Sequence, residues 1–225
     1  RRAEAGGPRT ESQLLVGGRR RLGRCIAEDA RSWAADLVVL GSHGRKGIGR
    51  ILLGSGAEQI VRESPVPALV VRGAGAPVPA RILVAVDGSE PSRRALTEAL
   101  RLARGRSPSV RLVRCIDDFA YLGAFEYSGL LVEELTAQAA DSMALDADIA
   151  RAAGVQAETC IFPSGGGLGA AIAQQARDWQ ADLVVVGTHG RRGVQRALLG
   201  SGAEQIVRES PVSVLVVPAH ATAAD

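Results

Sequence analysis

The chain of 225 residues has room for one to two domains, and with 46% apolar but only 3% aromatic residues its core must be built from Val, Leu, Ile and Ala. No apolar run approaches the roughly 20 residues of a membrane-spanning helix, and the polar, basic N-terminus does not read as a secretory leader, so a cytoplasmic protein without a membrane partner is expected. The formal charge of +3 is carried almost wholly by arginine, Lys46 being the sole lysine, and its dispersal without interleaved aromatics argues against nucleic acid as a partner.

Taken in order, the chain predicts a strand at Gln13–Val16, a helix from about Arg20 to Trp33, a strand at Leu37–Leu40, a glycine-rich turn, a helix at Ala57–Glu63 and a strand at Ala68–Val71. Gly73–Pro79 is a linker by its Gly and Pro content. A buried strand, Arg81–Val86, then runs into Asp87-Gly88-Ser89, with Ser89 as N-cap and Pro91 in the first turn of a helix that carries Ala95, Leu96, Ala99, Leu102 and Ala103 on one face. Val110–Ile116 is the next strand, and residues 117–128, which hold most of the Phe and Tyr, read as a loop or lid. A long helix follows at Leu130–Ala153, with Leu131, Leu135, Met143, Leu145 and Ile149 as core candidates and Gly154 as its stop. Then come a strand at Gln156–Phe162, a turn at Pro163–Gly167, and a helix at Leu168–Trp179 that buries Ile172 and Ala176. The chain closes with a strand at Leu183–Val186, a helix at Ala203–Arg208 stopping before Pro211, and a strand at Val212–Val217.

An internal repeat organises these elements. Ala35–Val71 matches Ala181–Val217 at a constant offset of 146, with about 29 of 37 positions identical and GSGAEQIVRESPV the same letter for letter. Upstream, Leu22, Gly23 and Ile26 fall on Leu168, Gly169 and Ile172. The expected organisation is the C-terminal half of a domain at 1–72, a linker at 73–79, a complete domain at 80–218 and a tail at 219–225. Counting back by the offset, the first copy would begin about 65 residues before Arg1, and with Met143 the sole methionine the chain reads as processed or incomplete. Strands alternating with helices predict a parallel sheet covered on both faces, with ligands beyond the C-terminal strand ends where strand order reverses.

That rule directs attention to Asp87, at the end of one strand, and Gly187, at the end of another. If the two strands are neighbours, the carboxylate and the glycine turn share one crevice. Gly187 and Gly190 allow close backbone approach, and Gly200-Ser201 opens a helix whose free N–H groups suit phosphate. The plainer alternatives are a turn-capping aspartate and glycines serving tight turns. Arg191, Arg192 and Arg196 sit between the two glycine pairs as a solvated loop or as phosphate counter-charges. The run Gly165–Gly167 is a mobile turn or a phosphate nest. His43 and His189, in equivalent Gly-x-His-Gly turns, are structural or peripheral phosphate contacts, since no nucleophile or orienting acid accompanies them. Glu58 and Glu204 resemble capping-box acids. Cys25, Cys115 and Cys160 lack paired spacing and read as small buried residues in a reducing compartment, and no cluster has metal-ligand spacing.

The order VAVDGS (Val84–Ser89), DLVVVGTHG (Asp182–Gly190) and LLGSGAEQIV (Leu198–Val207) resembles the universal stress protein family, across 80–218 and again, in its second half, across 1–72. The spacing G-2x-G-9x-G-[S/T] resembles the signature of members that bind ATP, and both copies carry it: Gly41, Gly44, Gly54 and Ser55, then Gly187, Gly190, Gly200 and Ser201. The resemblance implies an open five-stranded parallel sheet of order 3-2-1-4-5 with helices on both faces, Rossmann-like, here as a tandem repeat with a truncated first unit. It implies Asp87 beside the adenosine ribose, with Ala85 and Val86 leading into it. Cys115 would line the adenine pocket, with Val186 and Gly187 along the same cleft. His189, Gly190, Gly200, Ser201, Gly202 and Ala203 would surround the phosphates. Mg²⁺ would arrive with the nucleotide. The first copy has no counterpart of Asp87 and is expected not to bind nucleotide.

Pairing through fifth strands is also implied, either within this chain, Ala68–Val71 beside Ser213–Val217, or between two copies. The expected function is an ATP-binding stress-response sensor or regulator with at most weak ATP hydrolysis. The alternatives are a dimerising module without nucleotide and an adenylating α/β enzyme, although neither an SGGxDS nor a KMSKS loop is present.

Overall fold

The structure, a computed structural model, describes residues 10–14, 21–42, 54–73, 78–105, 108–116, 128–164, 167–190 and 199–219, and side chains from residue 133 in the long helix. Within these residues the elements run α1 (Leu22–Ser32), β1 (Val38–Gly41), α2 (Ser55–Glu63), β2 (Ala68–Val71), β3 (Arg81–Ala85), α3 (Glu90–Ala103), β4 (Ser109–Ile116), α4 (Ser128–Ala152), β5 (Ala157–Pro163), α5 (Leu168–Asp178), β6 (Leu183–Gly187), α6 (Ser201–Glu209) and β7 (Ser213–Val217).

The described strands form a single sheet of seven, not the five expected, in the order β1-β2-β7-β6-β3-β4-β5. Five of them, β5-β4-β3-β6-β7, follow the 3-2-1-4-5 order and are parallel throughout. The extra pair, β1 and β2, is parallel within itself and joins β7 antiparallel. The join has local two-fold character: Leu69 sits opposite Leu215, its own repeat counterpart, with Ala68 opposite Val216 and Val70 opposite Val214. A strand facing its own repeat antiparallel meets equivalent positions in reflected order, here apolar residues throughout, which makes the seam self-complementary.

Alternation along the strands divides the core between the two faces. Leu83, Val113, Val184, Val186, Val214 and Val216 pack with Ile172, Ala176, Ala203 and Ile206 of α5 and α6. On the other face Ile82, Val84, Val110, Leu112, Val185 and Leu215 pack with Leu96, Ala99 and Leu100 of α3 and Met143 and Ala150 of α4. Each of these Val, Leu, Ile and Met side chains contributes about 1.5–3 kcal/mol on burial. α3 starts as its sequence predicts, with the Ser89 hydroxyl accepting from Ser92 N at 3.4 Å and proline in the first turn.

Several expectations need correction. Gln13 and Leu14 form no strand, and Leu14 is exposed with nothing to pair against, while residues 15–16 lie outside the described residues. In α4 the buried positions are Ala139, Met143, Asp146 and Ala150; Leu145 and Ile149 point outward. The helix presents its alanines because close packing on the sheet leaves little room, and a carboxylate holds the position that an apolar count assigns elsewhere. The cysteines are thiols of intermediate burial. The expected lid, the arginine loop and most of the Gly165–Gly167 turn and of the linker lie outside the described residues, as do His43 and Gly44.

Candidate functional site

Asp87 leaves the C-terminal end of β3 in a turn that fixes its carboxylate locally: Oδ1 accepts the Ser89 N–H at 2.9 Å, and the Asp87 N–H lies 3.4 Å from Ser92 Oγ. β3 and β6 are direct neighbours, with Val84 opposite Val185, so the ends of the two strands open on the same side. β3 also pairs with β4, and it is here that successive strands change from adding on one side to adding on the other.

The glycines at this point do two different jobs. A Cβ on Gly187 would lie 2.7 Å from the Pro91 carbonyl oxygen, so this glycine exists to let α3 pack on the strand. The close approach at its Cβ position is to the backbone of α3. A Cβ on Gly190 would instead lie 2.5 Å from Asp87 Oδ2. The second glycine of the turn and the strand-end carboxylate therefore meet directly, and Gly190 is exposed to solvent.

The following helix is anchored by Gly200, whose N–H donates to the Thr188 carbonyl at 2.7 Å. Gly200 is the N-cap of α6, with no side chain to cap it, and Ser201 is the first helical residue. The Gly200 carbonyl accepts from Glu204 N, so the amides of Ser201, Gly202 and Ala203 precede the first intrahelical donor. The capping-box expectation fails for the same reason. With glycine as N-cap, Glu204 lies one position too far along, and Gly200 N is already committed to Thr188. In the first copy Gly54 is likewise the cap, its N–H bonds Ser42 O at 3.2 Å, and Glu58 pairs with Arg62 one turn on.

The other candidates are placed as follows. Ala85 ends β3; Val86 is buried, with its N–H bonded to Val113 O and its side chain in the α3–α4 core. Val186 is buried in the opposite core, and Cys115 is half-buried near the end of β4. His189 Nδ1 lies 3.1 Å from Thr188 Oγ1, which also accepts from Ala219 N, while His189 Nε2 is buried without a hydrogen-bond partner. Thr188 is thus the hub that ties the glycine turn to the end of β7, a role the sequence reading did not assign. Gly41 ends β1, and Gly54 and Ser55 open α2. No described residue stands to them as Asp87 stands to Gly190. Among the described residues no group of His, Cys, Asp and Glu is arranged to hold a metal ion, and no helix is long and apolar enough to cross a membrane.

Two charged residues behind Asp87 were also missed. Arg114, on β4, is buried, and Asp146, on α4, is wholly so. Nothing in a strand reading LVRCI or a helix reading ALDADIA marks them, because only the packing of α4 over β4 brings them together.

The sequence profile described as the universal stress protein family matches residues 1–72 and 80–218. The chain belongs to the universal stress protein family. It is similar to a universal stress protein of Staphylococcus saprophyticus, 32% identical over 136 residues that make up 60% of this chain and 81% of the relative. A Staphylococcus aureus relative is 31% identical over 144 residues, 64% of this chain and 87% of its own. Among solved structures, universal stress protein UspA from Lactobacillus plantarum superposes with a TM-score of 0.55 at 26% identity, covering 61% of this chain and 97% of that one.

Proposed function

We propose that this universal stress protein binds an adenine nucleotide, ATP foremost, in the crevice beyond the ends of β3 and β6, and that it works as a stress-response sensor or regulator. The observation that carries the reading is the meeting of Asp87 with Gly190. A carboxylate able to accept from two vicinal hydroxyls stands beside a backbone bend with no side chain in the way. A ribose would be held by Asp87, and its phosphate tail would run toward the uncapped amides of Ser201, Gly202 and Ala203, where the helix dipole favours anions. His189 Nε2 is a further donor or acceptor at the same bend. The residues present fit the nucleotide in kind. Mg²⁺ would be held by the phosphates. The first copy supplies the helix N-terminus without the carboxylate, so we assign one nucleotide to the chain. The antiparallel β2–β7 seam is, in this reading, the internal form of the fifth-strand pairing implied by the family resemblance.

Calorimetric titration of the full chain with ATP is expected to show one site. Asp87→Asn should weaken it by about 10- to 100-fold, since a charge-assisted hydrogen bond contributes about 1.5–3 kcal/mol. An Asp87→Asn protein with wild-type affinity would remove the ribose role, and absence of heat with the wild type would remove the reading altogether.

A further inference from the structure

Asp146 takes no part in the cleft as described, yet its side chain has no exposed surface and both carboxylate oxygens lack a hydrogen-bond partner among the described residues. A buried carboxylate left in that state is costly, and structures rarely keep one without a reason. Its charged surroundings come from three other elements. Arg93 of α3 places Nε 3.9 Å from Oδ1; Arg114 of β4 and Asp87 of the β3–α3 turn act on it through space. Burial is the dominant influence and holds the Asp146 carboxyl above the ordinary carboxylate range; the two guanidiniums pull it back down, and Asp87 pushes it further up. Packing fixes the arrangement. A Cβ on Gly88 would overlap Ser142 Oγ, one turn before Asp146, and would lie 3.6 Å from Arg114 Nη1. Asp146 therefore lies directly behind the Asp87-Gly88 turn.

We propose that Asp146 is a proton-controlled charge beneath the nucleotide cleft, tuning how strongly the cleft holds an anionic ligand. The inference rests on the nucleotide reading given above. With Asp146 protonated, a negative charge set against Arg93 and Arg114 is removed and the floor of the cleft carries a surplus positive charge. With Asp146 ionised, that surplus is cancelled. Affinity for a polyanion then falls as pH rises through the titration of Asp146, while affinity for the uncharged nucleoside changes less.

The test titrates the full chain with ATP, and separately with adenosine, from about pH 5 to about pH 8. Wild-type affinity for ATP is expected to drop, relative to Asp146→Asn across this range, by about fourfold for each unit of charge on the ligand. That is the effect of one unit charge roughly 10 Å away at an effective dielectric near 40. The ionisation of ATP itself is common to both proteins and cancels. Arg93→Met, at a half-exposed position, should move the wild-type transition to higher pH. Superimposable ATP profiles for wild type and Asp146→Asn overturn the proposal.

Unfolding of the same proteins without ligand separates this failure from failure of the nucleotide reading. A carboxyl raised in the fold confers stability that is complete below its unfolded pKa and lost as pH rises through the raised value. Wild type should therefore lose stability relative to Asp146→Asn over that interval. Parallel unfolding profiles overturn the proton at Asp146, whereas absence of ATP binding beside diverging profiles overturns only the nucleotide reading.

Discussion

Residues 22–71 and 168–217 carry nearly the same elements from nearly the same letters, yet live in different surroundings. Trp33 is 68% exposed and its counterpart Trp179 is 4% exposed, with the guanidiniums of Arg81 and Arg111 over its ring at 5.2 and 4.9 Å from the centre. Val39 is 59% exposed where Val185 is fully buried. The order of described elements is the same; what differs is the company. β6 has β3 on its far side and α3 over one face, whereas β1 ends the described sheet, with Val38 and Leu40 packed on the core and Val39 exposed among the described residues. A sequence therefore encodes which face of a strand is apolar, but the depth of burial belongs to its neighbours.

Substitutions in matched pairs sharpen this contrast. The largest difference is expected at the tryptophans. Trp179→Ala should cost about 3–5 kcal/mol in denaturant unfolding, against less than about 0.5 kcal/mol for Trp33→Ala. Equal losses would mean that the two copies are equally packed. Next come the central strand valines, where Val185→Thr places a hydroxyl between β3 and α3 and should cost about 1–3 kcal/mol, while Val39→Thr should leave the midpoint unmoved. Smaller still is the effect at the aspartates before each strand. Asp182 Oδ2 accepts from Ala80 N and Arg81 N, both at 2.9 Å, and Asp182→Ala should cost about 1–2 kcal/mol. Asp36→Ala removes the counterpart at the edge strand, where no such bonds are present among the described residues, and thermal unfolding should register almost nothing.

Much of this was legible in the letters. The buried runs at 81–86 and 183–187 gave their strands because uninterrupted Val, Leu and Ile suit a sheet covered on both faces. Ser89-Glu90-Pro91 announced α3, and Asp87 with Gly190 proved to be neighbours as the strand order requires. The helix contact at Gly187 was not legible, because spacing alone does not distinguish a glycine that admits a helix from one that admits a ligand. The α4 core was misjudged at Leu145 and Ile149, since a helix of 25 residues laid over a sheet buries whichever stripe its crossing angle selects. Arg114 and Asp146 were invisible because they lie 32 residues apart and meet only in the folded chain.

Arg72 closes the first copy onto the second. Its guanidinium donates to the carbonyls of Val207 and Arg208 at 2.5 and 3.0 Å, its own N–H donates to Ser213 Oγ at 3.1 Å, and burial works against its charge. The repeat position is Pro218, which can return none of these bonds, so the clasp is one-sided. α6 is thereby gripped at its carbonyl pole by the preceding copy, while its opposite pole faces the crevice. The Arg72 cation sits at the end of this nine-residue rod where the peptide dipoles gather negative charge, so loosening the clasp weakens the helix it grips.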